Sequence, residues 1–177
     1  MARDFPMQPI GKPTRVTLAA LVLGLLFTFG ALFVAGGQDL GPATLALVAF
    51  GLLAGAAMLL LVVRRMRVTL EDGRLVVRAT FYTQRIALAD LDVDAARIVD
   101  LAEHPQWRPT VRLNGMSLPG LDAGHYRARE WKRKLFCALS SRRNVLLLPQ
   151  RNGRILLLSP EKPQSVLRAL QQAGHRS

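Results

Sequence analysis

Arg108-Pro-Thr-Val-Arg-Leu-Asn-Gly-Met-Ser-Leu-Pro-Gly-Leu-Asp-Ala-Gly-His-Tyr126 is the stretch on which the fold turns. Thr110 to Leu113 reads as a short strand, and Tyr126 to Arg129 as the next. Between them, Gly115 to Gly124 reads as a loop. Asn114-Gly115 and Pro119-Gly120 are turn dipeptides, because Gly supplies a positive φ and Pro a fixed one. Their expected role is to shape a loop beside the strand that holds Tyr126. A ligand-holding loop is the alternative.

Strand signals continue on both sides. Val68 to Leu70 and Leu75 to Phe81 flank Glu71-Asp72-Gly73-Arg74, a hairpin signal. Thr83 to Leu88 is a further short strand. Leu91 to Leu101 stays open: Leu91, Ala95 and Ile98 share a helical face, while Ile98-Val99 fits a strand. Leu135 to Leu139 follows Tyr126 to Arg129 across a charged turn. Val145 to Leu148 and Arg154 to Leu158 form a last hairpin, turning at Arg151-Asn152-Gly153. Ser159 then caps a helix over 160–172, with Pro160 in its first turn and Val166, Leu167 and Leu170 as its apolar stripe. Gly174 stops it. Many short strands closed by one helix predict an α+β unit, a small barrel or orthogonal sandwich with the helix covering an open end.

The order Arg112, Asn114, Gly115, Pro119, Gly120, Gly124, Tyr126 resembles the bacterial pleckstrin-homology-like domain family. Arg142 to Pro149 and Leu156 to Pro160 are similar to that family's last two strands and helix cap. The resemblance covers roughly 66–172 and implies a seven-strand antiparallel barrel-like sandwich with a C-terminal helix. It implies little about activity, since unrelated functions sit on one fold. Phosphoinositide-binding members of the wider superfamily use basic residues between the first two strands. Here that link is Glu71-Asp-Gly-Arg74, two acids and one Arg, which does not fit that use.

The N-terminal third is different in kind. The chain has 177 residues, with 24 Lys and Arg against 12 Asp and Glu, a formal charge of +12. Yet Val16 to Gln38 and Leu40 to Val63, 23 and 24 residues, carry no charge at all. A helix needs about 20 residues to cross a bilayer core. The expectation is a transmembrane hairpin over 15–63, with spans of about 16–36 and 43–63, between a poorly ordered polar tail at 1–14 and a domain at 64–177. The first run is longer than the apolar core of a signal peptide. Arg3, Lys12 and Arg15 precede the spans, Arg64, Arg65 and Arg67 follow them, and the link between them has no Lys or Arg. By the positive-inside rule both termini are then cytoplasmic, in a multi-pass protein of the bacterial inner membrane. The hairpin is also similar to family members that carry membrane spans. Gly51xxxGly55 lets helices approach closely, either the two spans or a second membrane protein. No charged or strongly polar residue sits inside either span to serve a transporter or channel.

Chemistry-bearing patterns are sparse. Asp90-Leu-Asp-Val-Asp94 opens like a calcium loop, but its sixth and twelfth places hold Ala95 and Leu101 instead of Gly and Glu. His104, His125 and His175 have no metal-ligand spacing, and His125 reads as a loop residue. Ser140-Ser141 lacks a nucleophile elbow, and Cys137 packs as a small hydrophobe. No catalytic residue, cofactor or metal is therefore assigned. Arg127, Arg129, Lys132, Arg133 and Lys134 around Trp131, together with Arg64, Arg65 and Arg67, form the candidate surface for a partner or a lipid; nucleic acid is not expected. The expected function is a membrane-anchored, non-enzymatic binding or scaffold protein that presents the domain to a protein partner or to itself. The alternative is a peripheral sensor of anionic lipids through the basic face.

Overall fold

The computed structural model describes residues 3–9, 11–36, 41, 46, 48–57, 65–128 and 133–174. Ten strands are present among them: β1 Arg3–Pro6, β2 Arg67–Glu71, β3 Arg74–Ala79, β4 Tyr82–Ala87, β5 Arg97–Val99, β6 Pro109–Leu118, β7 Leu121–Ala128, β8 Lys134–Leu139, β9 Val145–Pro149 and β10 Ile155–Leu158. Helix α1 is Lys12–Gly36 and helix α2 is Pro163–Gly174. Residues 48–57 are helical as well.

The strands form two sheets, β1-β2-β3-β4 and β5-β9-β10-β8-β7-β6. In the first, β2-β3-β4 is a meander whose β2–β3 turn is written in the sequence. Glu71 pairs with Arg74 across Asp72 (φ 44°) and Gly73 (φ 72°), so both loop residues have the positive φ a tight hairpin requires. The second sheet departs from the expected all-antiparallel barrel. β10 lies between β8 and β9, antiparallel to β9 but parallel to β8. All four residues of β10, and Val145 to Leu148 of β9, are buried, so these strands are apolar on both faces. One face carries Ala123, Phe136, Leu148, Leu156 and Leu158 toward β2, β3 and Val166, Ala169 and Leu170 of α2. The other buries Tyr126, Leu135, Cys137, Leu147 and Leu157 under Leu101 and Trp107.

Residues 3–8, expected to be a loose tail, are part of this unit. β1 pairs with β2, from Arg3 opposite Leu70 to Pro6 opposite Arg67. The Thr69 hydroxyl donates to Asp4 Oδ1 at 2.6 Å. On its other side the segment meets the far end of the chain. Gln8 N–H donates to Ser159 O at 2.9 Å, Glu161 N–H to Pro6 O at 2.9 Å, and Ser140 Oγ to Gln8 O at 2.8 Å. The N-terminal segment thus bridges the two sheets.

Two further expectations are corrected, and one stretch left open is decided. Residues 115–124 are not a loop but paired strand, with a tight turn at Pro119-Gly120. The stretch 91–101 supplies the short strand β5. The C-terminal helix starts at Pro163, because Pro160 is held in an isolated bridge with Met7.

Among the described residues no helix is long and apolar enough to cross a membrane. That corrects the expected two-helix hairpin, the membrane anchoring and the multi-pass inner-membrane location; the cytoplasmic placement of both termini rested on the same spans. Lack of charge measures how apolar a run is, not what its helix packs against. α1 begins with its first turns seated on the domain: Thr14 is buried and donates to Pro119 O at 2.6 Å, and Leu18 joins the core. Farther along, Leu23, Phe27 and Val34 are exposed. Of the second expected span, 43–63, residues 46 and 48–57 are described and helical, and the others lie outside the described residues.

Candidate functional site

The sequence around Tyr126 matters through close approach. Gly115 and Gly124 face each other across β6 and β7. This lets β4 lean against the second sheet: Tyr82 Oη donates to Asn114 Oδ1 at 2.6 Å. Tyr126 turns to the opposite face and donates its hydroxyl to Met116 O at 2.8 Å. Burial, reinforced by the Asp122 charge, pushes its pKa up to about 12. Arg112 stands opposite Tyr126 on the exposed side of β6. The motif residues therefore build the junction between the sheets.

Beside that junction, His125 is held edge-on to two rings. Its centroid is 6.0 Å from Tyr82 and 5.1 Å from Phe136. Gln84 Nε2, from the other sheet, lies 3.4 Å from His125 Nε2. Burial, and then the positive charge of Arg154, lower the His125 pKa below its usual value. Neutral imidazole is the favoured form.

Register places a cationic row next to this ring. Arg127 is directly opposite Lys134 on β7 and β8. β10 runs parallel to β8 with Ile155 beside Leu135, which sets Arg154 beside Lys134. Gln150, at the end of β9, donates its N–H to Arg154 O at 2.8 Å. Side chains alternate along strands, so Arg127, Lys134 and Arg154 share the face of His125 and Phe136. Neighbouring strands are about 4.8 Å apart, so three like charges stand in sequence across the sheet. Among the described residues no carboxylate lines the cleft they border. It has a volume of about 220 Å³, and Gln84, Leu113, His125, Lys134, Phe136 and Arg154 are among its walls.

The expected basic surface is brought together only in part. Lys134 is on the cleft and Arg127 beside it. Arg133 holds the β7–β8 connection, its carbonyl accepting from Ala128 N–H at 3.1 Å. Arg65 is exposed, and Arg67 lies between Pro6 and Arg78 in the other sheet. Arg64, Arg129, Trp131 and Lys132 lie outside the described residues. His125 and Arg154 were missed. A turn cation and a lone histidine carry no pattern in one sequence, and only strand register makes them neighbours.

Chemically the cleft offers donors and positive charge. Cys137 lies on the other face, fully buried, with burial pushing its thiol well up, so it is no thiolate nucleophile. Among the described residues no group of three or more His, Cys, Asp or Glu side chains is placed to hold a metal.

The model of the bacterial PH domain matches residues 66–174, more than half of the chain. No curated protein and no solved structure matches. The match starts at the strand before Asp72 and leaves β1 and α1 outside it.

Proposed function

The chain belongs to the bacterial PH domain family, and from that premise we propose that it is a non-catalytic binding module that accepts an extended segment of a partner protein along β6. PH-like domains are as a rule binding modules and not catalysts. The observation that carries the reading is the state of β6. It is a ten-residue strand at the end of its sheet, and Val111 and Leu113 are each 50% exposed. A long edge strand offers unpaired backbone groups, and proteins ordinarily blunt such edges. Here β1 covers β2, and β5 has only three residues. β6 contains no acidic residue, and Arg108, Arg112 and Arg127 lie along or beside it, which favours a partner segment carrying Asp or Glu. Backbone pairing would supply affinity and alternate side chains would supply choice.

The test is a photo-crosslinking residue placed at Val111 in the full chain, in its native cells, with the same residue at Thr83 on β4 as control. A discrete adduct from Val111, absent from Thr83 and lost when Leu113→Asp is added, supports the reading. Adducts of equal yield from both positions, or one indifferent to Leu113→Asp, sink it. An adduct of twice the chain's mass identifies a second copy as the partner.

A further inference from the structure

We infer that the cleft between β4 and the β7-β8-β10 end of the second sheet is a binding site for a phosphate group carried on a short apolar stem. The site does not depend on whether a strand adds to β6, although Leu113 belongs to both regions.

Four observations converge. First, Arg127, Lys134 and Arg154 occupy neighbouring positions on three adjacent strands. Side by side, like charges destabilise a sheet, and among the described residues Arg142–Asp122, at 3.9 Å, is an ion pair made elsewhere. An anion bound across the row would turn this repulsion into attraction. Second, the polar groups around the cleft are nitrogen-rich. The Gln84 and Gln150 amides and the His125 ring join Lys134 and Arg154. Third, Phe136 and Leu113 give the cleft apolar wall on one side of the charges, which suits a stem better than a bare ion. Fourth, about 220 Å³ is room for a phosphate and a few carbons, not for a nucleotide.

The chemistry favours phosphate over carboxylate. A phosphate monoester carries close to two negative charges and three acceptor oxygens. A guanidinium can engage two of them in a fork, with the ammonium as a point charge on the third. Gln84 and His125, 3.4 Å apart, form the inner wall, and the ring can turn either nitrogen into a donor toward the ligand. No covalent step is involved.

One phosphate chemistry has two sources, a soluble phosphate monoester and the headgroup of an anionic lipid. Both are tested on the full chain. NMR of the His125 ring is followed while inorganic phosphate and then n-butyl phosphate are added, in wild type, Arg154→Gln, Lys134→Gln and the remote control Arg78→Gln. The expected result is a saturating shift, tighter for n-butyl phosphate. Arg154→Gln and Lys134→Gln should each weaken it about tenfold, the loss of one charge-assisted hydrogen bond, and Arg78→Gln should not. A shift that rises without saturating, or one equally weakened by Arg78→Gln, overturns the site and leaves only a diffuse basic surface. Thermal unfolding of each variant without ligand separates lost binding from lost fold. In the second arm the same proteins meet vesicles of phosphatidylcholine with and without phosphatidic acid. Binding to the acidic vesicles that falls selectively with Arg154→Gln assigns a headgroup. Saturable n-butyl phosphate binding with no such selectivity on vesicles assigns a soluble monoester. Both results support the site.

Discussion

Gly115 and Gly124 lie opposite each other on β6 and β7 with no room for a side chain on either. A Cβ on Gly124 would sit 2.5 Å from Asn114 O and 2.6 Å from Gly115 Cα, and one on Gly115 would sit 2.6 Å from Ala123 O. Gly124 also holds φ at +117°, which L side chains rarely adopt. Gly124→Ala should therefore destabilise the domain by about 3 kcal/mol, combining overpacking with backbone strain. Gly153→Ala is the comparison. Its φ is also positive, at +80°, but nothing lies within 4 Å, so about 1 kcal/mol is expected. Urea unfolding of both variants measures the difference, and equal losses would remove the close-approach argument.

Thr80 should respond in the opposite direction. It turns the β3–β4 hairpin at φ 52°, an unfavourable conformation for a β-branched residue, and its buried hydroxyl has no hydrogen-bond partner among the described residues. Thr80→Gly relieves both and should stabilise by about 1 kcal/mol. A lower melting temperature for this variant would show that Thr80 packs better than its geometry implies.

The bridge made by residues 3–8 is testable in two steps. Deleting them uncovers the β2 edge and strips partners from Ser140, Ser159 and Glu161. The melting temperature should drop. A synthetic peptide of residues 2–9 should then raise it again in proportion to its concentration, as any ligand of the folded state does. Deletion with no change in melting would contradict the bridging role.

His125 gives stability a defined pH dependence. Its pKa in the fold lies below 6.5 because burial, then Arg154, disfavour the imidazolium. As pH falls, the unfolded chain takes up this proton before the folded one. The contribution of His125 is thus complete above pH 6.5 and is lost as pH falls through the folded pKa. In phosphate-free buffer the urea midpoint of wild type should decline between about pH 7.5 and about pH 5, and His125→Gln should flatten part of that decline. Parallel curves would exclude His125 as the group responsible.

How far these features could be read from the residues depended on how local their causes are. Asp72-Gly73 announced its hairpin because the positive φ is required within the dipeptide itself. Val145 to Leu148 and Arg154 to Leu158 announced their hairpin because two apolar runs flank the turn residues Asn152-Gly153. Asn114-Gly115 misled for the same reason Asp72-Gly73 succeeded: the composition is that of a turn, but here glycine serves a cross-strand approach. β1 was invisible because Pro6 and Pro9 read as breakers, and its partners, Thr69 and Ser159, are far away in sequence. The charge-free runs foretold apolar helix without telling how its first turns dock. Of the site, Lys134 and Arg127 were legible as local basic density. Arg154 and His125 joined them only through the parallel β8–β10 register.

That register, with the N-terminal bridge, constrains the order in which the molecule can be made. Residues 3–8 leave the ribosome well before Ser140 and Ser159 to Glu161, which satisfy one side of them. β10, the last strand synthesised, must enter between two strands that already exist. About 150 residues separate the two halves of this closure, roughly 8 to 30 s of translation at 5–20 residues per second. Over the last part of that interval, once β8 and β9 have been made and before β10 follows, each presents a bare edge to whatever is nearby. Assembly of the nascent chain is therefore a late, single event, and the interval before it is when trigger-type chaperones would have the most to hold.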